Sequence, residues 1–205
     1  MSRRLSLRSG SRENHATAAA DRASDAELSD VLSEFARTMV TDFPIQDILD
    51  HLVGRIVEIM PVTGAGVTLI SAGRGPRYIA ASNAAAMRFE ELQSELSEGP
   101  CLAAYHTGEA VAVADLRADK RFASFSPQAL QAGLAAVFTF PLRHGSARLG
   151  ALDLYRDTPG ALSRRSMNRA QTLADVAAAY LLNAEARADL RTRPTARAKL
   201  RSTMP

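Results

Sequence analysis

Residues 97–116 read SEGPCLAAYHTGEAVAVADL, and they join a turn, a short helix, a second turn and a strand in unbroken order. Gly99-Pro100 predicts a turn and the start of a helix, because proline has no N–H and suits the first helical turn. Gly108 predicts the end of this helix, since glycine readily adopts the left-handed conformation that follows a last turn. Val111–Val113 then predicts a short strand.

Two amphipathic helices are predicted in the first third of the chain. Ser24-Asp25-Ala26-Glu27 has the spacing of a capping box, and apolar residues from Leu28 to Met39 follow at intervals of three and four. A second helix begins after Pro44, carries one broad apolar face and ends at Pro61.

A β-hairpin and a third helix are predicted next. Ala65–Ser71 is rich in β-branched and apolar residues, Gly73–Pro76 has the composition of a turn, and Arg77–Ser82 is the expected hairpin partner. Asn83 is a good N-cap residue for a helix that extends to Leu96.

The remaining chain predicts a short helix, a long hairpin and a final helix. The short helix lies near Pro127–Gln131, the strands are Leu134–Leu142 and Arg148–Arg156, and the final helix runs from about Ser163 to Leu190. Helices at both ends with five strands between them predict an α+β fold. We expect an α/β/α sandwich around an antiparallel sheet of five to six strands, with the terminal helices packed on one face.

The charge pattern divides the chain into an acidic body and two basic tails. Residues 1–24 carry five Arg against two acidic residues, and residues 187–205 carry five Arg and one Lys against one Asp, so that 25–186 has a net charge of −5 within a chain of +3. We expect a disordered tail at 1–23, one domain at 24–190 and a second disordered tail at 191–205. An acidic body argues against specific nucleic-acid binding.

No signal peptide or membrane span is apparent in the sequence. The basic N-terminus is not followed by an apolar stretch, and the chain has no apolar run of the length that a membrane helix requires. The single cysteine is compatible with a reducing cytoplasm. We therefore expect a cytoplasmic protein that does not associate with membranes.

The opening stretch, together with Phe138–Leu142 and Leu149–Tyr155, resembles the GAF domain over roughly residues 28 to 185. The resemblance is greatest to the actinobacterial sensor domains that usually precede an RNA-binding antiterminator (ANTAR) or a cyclic-di-GMP-synthesising (GGDEF) output domain. It implies a homodimeric sensor of a small molecule, which relays a signal through its terminal helices or to a partner. Only fifteen residues follow Leu190, too few for either output domain, so we expect a stand-alone sensor, a partner-regulated subunit or a truncated relic.

The resemblance also implies a pocket between the sheet and the helices near Asn83–Leu96, Pro100–Thr107 and Pro127–Gln131. The candidate ligand-binding residues are Phe89, Cys101, Tyr105, His106, Asp115, Phe122, Phe125 and Phe138. Aromatic groups with few polar ones suit a small ligand, and they suit an ordinary core equally well. The signature of cyclic-nucleotide-binding GAF domains is not recognisable, and the sequence identifies no cofactor.

An alternative function, a thiol-dependent enzyme, depends on Cys101. Its position at a predicted helix start would lower the pKa of its thiol. The free methionine-R-sulfoxide reductases, one branch of the GAF family, are similar in having a cysteine in this turn. They recycle it through further cysteines, which this chain lacks, and no Asp or Glu occurs from Phe125 through Pro141, where their substrate carboxylates are expected. A small buried cysteine that fills the turn is the simpler interpretation.

Other catalytic and metal chemistry finds little support in the sequence. The chain has no phosphate-binding loop, nucleophile elbow, CxxC or HExxH motif. Of His15, His51, His106 and His144, only His106 is placed where it could ligate haem, and no pair has metal-ligand spacing. Asp115 follows a strand and is expected to cap a turn. Three hypotheses remain: a ligand sensor, an interaction module whose own side chains fill the pocket, and a thiol-dependent enzyme.

Overall fold

The computed structural model describes residues 25–38, 44–70 and 76–192. Residues 25–38 form helix α1. The other helices are α2 (Ile45–Ile59), α3 (Ala84–Leu96), α4 (Pro100–Thr107), α5 (Phe125–Gln131) and α6 (Arg164–Thr192). The strands are β1 (Gly64–Leu69), β2 (Arg77–Ala81), β3 (Val111–Val113), β4 (Ala136–His144) and β5 (Ala147–Arg156).

The five strands form one antiparallel sheet in the order β2-β1-β5-β4-β3. The long β4–β5 hairpin lies at its centre, where Leu152 pairs with Phe140 on one side and with Val67 on the other. The apolar side chains of these central strands are buried on both faces of the sheet. Both faces must therefore be covered by helices.

Two hydrophobic clusters separate the layers. Leu152, Leu154 and Phe138 pack with α1, α2 and α6 on one face, and Val137 and Tyr155 pack with α3, α4 and α5 on the other. Neighbouring residues of one strand lie in different clusters because successive side chains point to opposite faces. The predicted α/β/α sandwich with the terminal helices on one face is confirmed.

Several predicted boundaries are confirmed by capping geometry. The Asn83 side chain accepts a hydrogen bond from the N–H of Ala86, which begins α3. Gly108 ends α4 in the left-handed conformation, with φ of 74°. The Ser163 hydroxyl accepts from the N–H of Ser166 and so begins α6.

Two of the boundaries that differ from the prediction are the starts of α5 and β4. Helix α5 begins at Phe125, two residues before Pro127, because the Glu98 side chain accepts hydrogen bonds from the N–H groups of Ser124 and Phe125 at 2.7 and 3.0 Å. Strand β4 begins after Leu134, whose N–H instead donates to the carbonyl oxygen of Ala129 in α5. Both differences arise from contacts that cross between elements.

Some predictions concern residues that the structure does not describe. Ser24 of the expected capping box, the turn residues 73–75, His15, the tail 1–23 and residues 193–205 lie outside the described part of the chain. No helix among the described residues is long and apolar enough to cross a membrane.

Candidate functional site

A cluster of polar side chains lies inside the layer between the sheet and α3. Glu90 and Gln93 come from α3, Thr68 from β1, Thr139 from β4 and Asp153 from β5, and each is at most 1% exposed. Carboxyl groups are rarely buried so completely, because a charge loses its hydration there. This polar cluster is therefore the feature of the interior that most requires an explanation.

Helical and strand periodicity place the two carboxyl groups. Ala86, Glu90 and Gln93 are separated by four and three residues, and therefore share the face of α3 that is turned towards the sheet. Asp153 alternates with Leu152 and Leu154, so its side chain points to the opposite face from theirs. Glu90 and Asp153 therefore meet in the same layer.

A glycine provides the space for Glu90. The Thr68 hydroxyl donates to Oε2 of Glu90 at 2.5 Å. A Cβ atom on Gly66, the neighbour of Glu90 on β1, would lie 2.0 Å from Oε1 of Glu90. No side chain larger than hydrogen fits at Gly66 while Glu90 keeps this position.

Hydrogen bonds connect the rest of the polar cluster. The Thr139 hydroxyl donates to Oδ1 of Asp153 at 2.5 Å, between residues that are direct partners in the β4–β5 ladder. The Gln93 amide donates to the hydroxyl of Tyr155 at 3.2 Å and accepts from the N–H of Cys101 at 2.9 Å. The polar cluster thus joins three strands to two helices.

Burial without a counter-charge controls the titration of these groups. Desolvation raises the pKa of Asp153 to about 7 and the pKa of Glu90 well above its ordinary value, and the Asp153 carboxylate raises that of Glu90 further. Desolvation, with the nearby carboxylates, also raises the pKa of the Tyr155 phenol. The groups that contact the two carboxyls are hydroxyls and an amide, which can donate hydrogen bonds but supply no positive charge.

Cys101 is buried, and its thiol is less acidic than expected. Desolvation raises the pKa of the thiol well above its ordinary value, and the charges of Asp153 and Glu90 raise it further. The prediction that the helix start lowers this pKa is wrong, because burial and two acidic neighbours outweigh the helix dipole. The simpler interpretation of Cys101 as a buried residue is confirmed.

A pocket opens beside the polar cluster. Its volume is about 160 Å³, and its walls include Thr63, Asn83, Phe89, Ala132, Tyr155 and Asp157. The rings of Phe89 and Tyr155, 5.1 Å apart between centroids, form an apolar wall that is almost fully shielded from water. The exposed Asp157 supplies a carboxylate at the rim. Tyr155 thus connects the pocket with the polar cluster, where its hydroxyl lies.

The predicted ligand-binding aromatics lie at several different places. Phe89 lines the pocket, whereas Phe122 and Phe125 are buried in the hydrophobic cluster beneath α5. The expected position of Phe138 is wrong, because strand alternation turns it to the opposite face of the sheet, against the terminal helices. The structure therefore places one of these four aromatics at the pocket.

The remaining predicted residues lie near the ends of α4 and β3. Tyr105 is partly buried and His106 is exposed, and their carbonyl oxygens accept hydrogen bonds from the Arg148 side chain. Asp115 caps a turn as expected, since its Oδ1 accepts from the N–H of Arg117 at 2.9 Å.

The geometry gives metal binding no support in the described part of the chain. Within residues 25–38, 44–70 and 76–192, no three His, Cys, Asp or Glu side chains are grouped so that they could hold a metal ion. His106 is exposed at the end of α4 and is not among the residues that line the pocket.

The sequence interpretation missed Glu90, Gln93 and Asp153. Asp153 stands between Leu152 and Leu154 in a strand that otherwise reads as fully buried, and Glu90 directly follows a core phenylalanine. A charged residue inside an apolar strand was the available signal. That the two would meet depends on the packing of α3 against β5, which no local pattern specifies.

Comparisons with known proteins agree with this architecture. A family model described as a GAF domain matches residues 44–181. A search of curated proteins gives no match.

Solved structures with the same fold share little sequence with this chain. The GAF domain from a phosphoenolpyruvate-protein phosphotransferase of Coxiella burnetii superposes with a TM-score of 0.64 at 16% identity, covering 80% of this chain and 98% of that one. The corresponding Acinetobacter domain gives 0.60 at 17% identity, covering 77% and 93%. A free methionine-R-sulfoxide reductase from Neisseria meningitidis, solved with its substrate, gives 0.60 at 14% identity, covering 77% and 90%. Identities this low establish a shared fold only.

Proposed function

This chain belongs to the GAF domain family, and we propose that it is a non-catalytic sensory domain that binds a small molecule in the pocket beside Tyr155. GAF domains are commonly sensory or regulatory modules. The observation that carries the proposal is the contact between this pocket and the polar cluster. An occupant packed against Phe89 and Tyr155 touches a residue whose hydroxyl is hydrogen-bonded inside the domain.

Strand β5 supplies a physical route for the signal. Tyr155 faces the pocket layer, and its neighbour Leu154 packs in the cluster formed with the terminal helices. A shift of β5 therefore changes the packing of both layers at once. The 29-residue helix α6 packs on the central hairpin and carries the change towards its C-terminal end.

The receiver of the signal is a second copy of the chain or a separate output protein in the cytoplasm. Leu182 lies on α6 in a half-buried position and is not part of the hydrophobic cluster beneath that helix. An apolar side chain in this position suits a helix–helix dimer contact. We expect a dimer at micromolar concentration in light scattering and a monomer for Leu182→Glu, with the exposed Asn168→Glu on the same helix as the control. A wild-type monomer would refute the dimeric relay.

The buried thiol disfavours the enzymatic alternative. A sulfoxide reductase needs a thiolate that its substrate can reach, whereas Cys101 is enclosed and its pKa is raised. If the protein reduced methionine sulfoxide and Cys101→Ala abolished this activity, the enzymatic alternative would be supported.

The interaction module remains the second candidate. Phe122 and Phe125 fill the interior beneath α5, where the resemblance implied a ligand. A domain closed in this way would act through its surface alone.

Native mass spectrometry of protein purified from the cells that produce it distinguishes the candidates. The sensory domain predicts an added small-molecule mass that is lost in Ala132→Trp, because the new indole ring occupies the pocket. Ala161→Trp places the same side chain at an exposed position that does not line the pocket, and should retain the added mass. An empty wild-type protein, or a mass that survives Ala132→Trp, would refute binding at this site.

A further inference from the structure

The polar cluster contains two carboxyl groups that lack enough hydrogen-bond donors. Oε1 of Glu90 and Oδ2 of Asp153 are fully shielded from water and accept no hydrogen bond from any residue that the structure describes, whereas the other oxygen of each carboxyl accepts from a threonine hydroxyl. A buried polar atom without a partner costs free energy. These two oxygens can therefore accept a further hydrogen bond.

A proton satisfies both oxygens at once. The two carboxyl groups contact each other, so a protonated Glu90 can donate to Asp153, and a second proton on Asp153 leaves the pair without charge. Two adjacent carboxylates in a site of low dielectric cannot both ionise easily, because each charge disfavours the other. Such a pair loses its protons in two separate steps that belong to the pair as a whole.

Among the described residues, no positively charged group contributes to the titration of the pair or could replace the proton. Strand β1 contributes Thr68, β4 contributes Thr139, and α3 contributes the Gln93 amide. The other titratable groups facing the pair are the Tyr155 phenol of β5 and the Cys101 thiol of α4, and both are neutral at physiological pH. Helix α5, which also packs on α3, carries no charged residue.

We propose that Glu90 and Asp153 form a proton-binding site, and that loss of the first of its two protons weakens the packing of α3 against the sheet. The leaving proton passes to solvent, and one negative charge remains on the pair. This buried charge lies between α3 and β5. Its desolvation is unfavourable, and moving the two elements apart would let water reach it. Helix α3 and strand β5 also form walls of the pocket, so loss of the proton would regulate ligand binding there. This regulation rests on the proposed function. The titration of Glu90 and Asp153 does not.

Carbon-13 NMR of the full chain, labelled at the Asp and Glu carboxyl carbons, tests the titration directly. We expect one aspartate signal to titrate near pH 7 and to disappear in Asp153→Asn. Signals that all titrate below pH 5 would overturn the proposal. The ligand-binding experiment does not depend on this result, so the two proposals fail separately.

Urea unfolding provides the thermodynamic readout. The pKa of each carboxyl group is higher in the folded protein than in the unfolded protein. The free energy of unfolding is therefore greatest at low pH and decreases as the pH rises through the folded-state pKa values. For Asp153 alone, the unfolding equilibrium constant should increase roughly ten- to hundredfold between pH 5 and 8. Asp153→Asn should remove most of this increase and Glu91→Gln should not. An unfolding constant that is independent of pH over this range would contradict the proposal.

Hydrogen exchange tests the conformational step. After correction for the intrinsic effect of pH, the amides of α3 should lose protection between pH 6 and 8 by a larger factor than those of the first half of α6. If Asp153→Asn does not fold, the hydrogen exchange and the NMR titration of the wild-type protein together test the proposal. Equal changes in the two helices would overturn the step, even if a carboxyl titrates near pH 7.

Discussion

Oε1 of Gln93 accepts a 2.9 Å hydrogen bond from the backbone N–H of Cys101, which joins α3 to the first turn of α4. The bond requires close approach of the intervening turn, since a Cβ atom on Gly99 would lie 2.5 Å from the same oxygen. Gly99 also has a φ of 155°, which side chains rarely adopt. The turn before α4 is thus held by an interior side chain as well as by its own sequence.

Replacing Gln93 by Met should destabilise the protein at pH 6 by about 1–3 kcal/mol. The substitution keeps the approximate volume and removes the partner of the Cys101 N–H and a donor to Tyr155, and each unsatisfied buried group carries a cost of that order. Urea unfolding measures the change. Gln131→Met at the exposed end of α5 is the control, and equal stabilities of the two variants would contradict the structural role of Gln93.

Gly66→Ala should destabilise the wild type by about 1–3 kcal/mol, because the new methyl group would overlap the Glu90 carboxyl group. The same change should cost much less in a Glu90→Ala background, where the space is free. A double-mutant cycle of unfolding free energies measures this coupling.

Gly54→Ala provides the matched control for Gly66→Ala. Gly54 lies within α2, and a Cβ atom there meets no atom within 4 Å. Alanine should therefore stabilise the protein by about 0.5–1 kcal/mol through its helix propensity. Absence of coupling between Gly66 and Glu90 would show that their contact is not the source of the cost.

The Cys101 thiol should resist modification in the folded protein. Burial and two acidic neighbours keep it protonated, and reaction with an aromatic disulfide reagent at pH 8 should occur only as fast as the domain opens. Ala161→Cys in a Cys101→Ala background supplies an exposed thiol for comparison. Equal reaction rates for the two thiols would refute the enclosed position of Cys101.

Glu98→Ala should cost about 1 kcal/mol at pH 7, since the carboxylate caps the start of α5. The backbone N–H of Phe125 is the main reason that the pKa of Glu98 is lowered. The stability it contributes is therefore present above the unfolded pKa and is lost as the pH falls through the lower folded value. Thermal unfolding at pH 7 and pH 3 should show the effect of Glu98→Ala shrinking in acid. The exposed Glu95→Ala is the control, and a pH-independent loss would contradict the capping role.

The architecture follows from local patterns, whereas the composition of the polar cluster does not. Asn83, Gly108 and the β4–β5 hairpin carry capping and alternation signals that depend on neighbours in sequence, and these predictions are confirmed. The prediction for Phe138 is wrong because it assigns this side chain to the other face of the sheet. The face depends on the register of β4, which neighbours in sequence do not fix. Glu90 and Asp153 meet across 63 positions of sequence.

The pocket was also predicted only in outline. The resemblance placed it between the sheet and α3, α4 and α5, and Phe89 does line a pocket in this layer. Asn83, Ala132 and Asp157 come from the ends of three elements, and their convergence depends on tertiary packing.

The most direct test of a bound molecule is a comparison of hydrogen exchange in two preparations of the protein. One is purified from its own cells, and the other is the same protein after it has been unfolded, dialysed and refolded. A bound molecule should change exchange in the layer between the sheet and α3, where the pocket lies. We expect the refolded protein to exchange faster in α3 and around residues 132–133, and Ala132→Trp to show no difference between the two preparations. Identical exchange in the two wild-type preparations, or a difference that persists in Ala132→Trp, would contradict a small-molecule sensor built on this pocket.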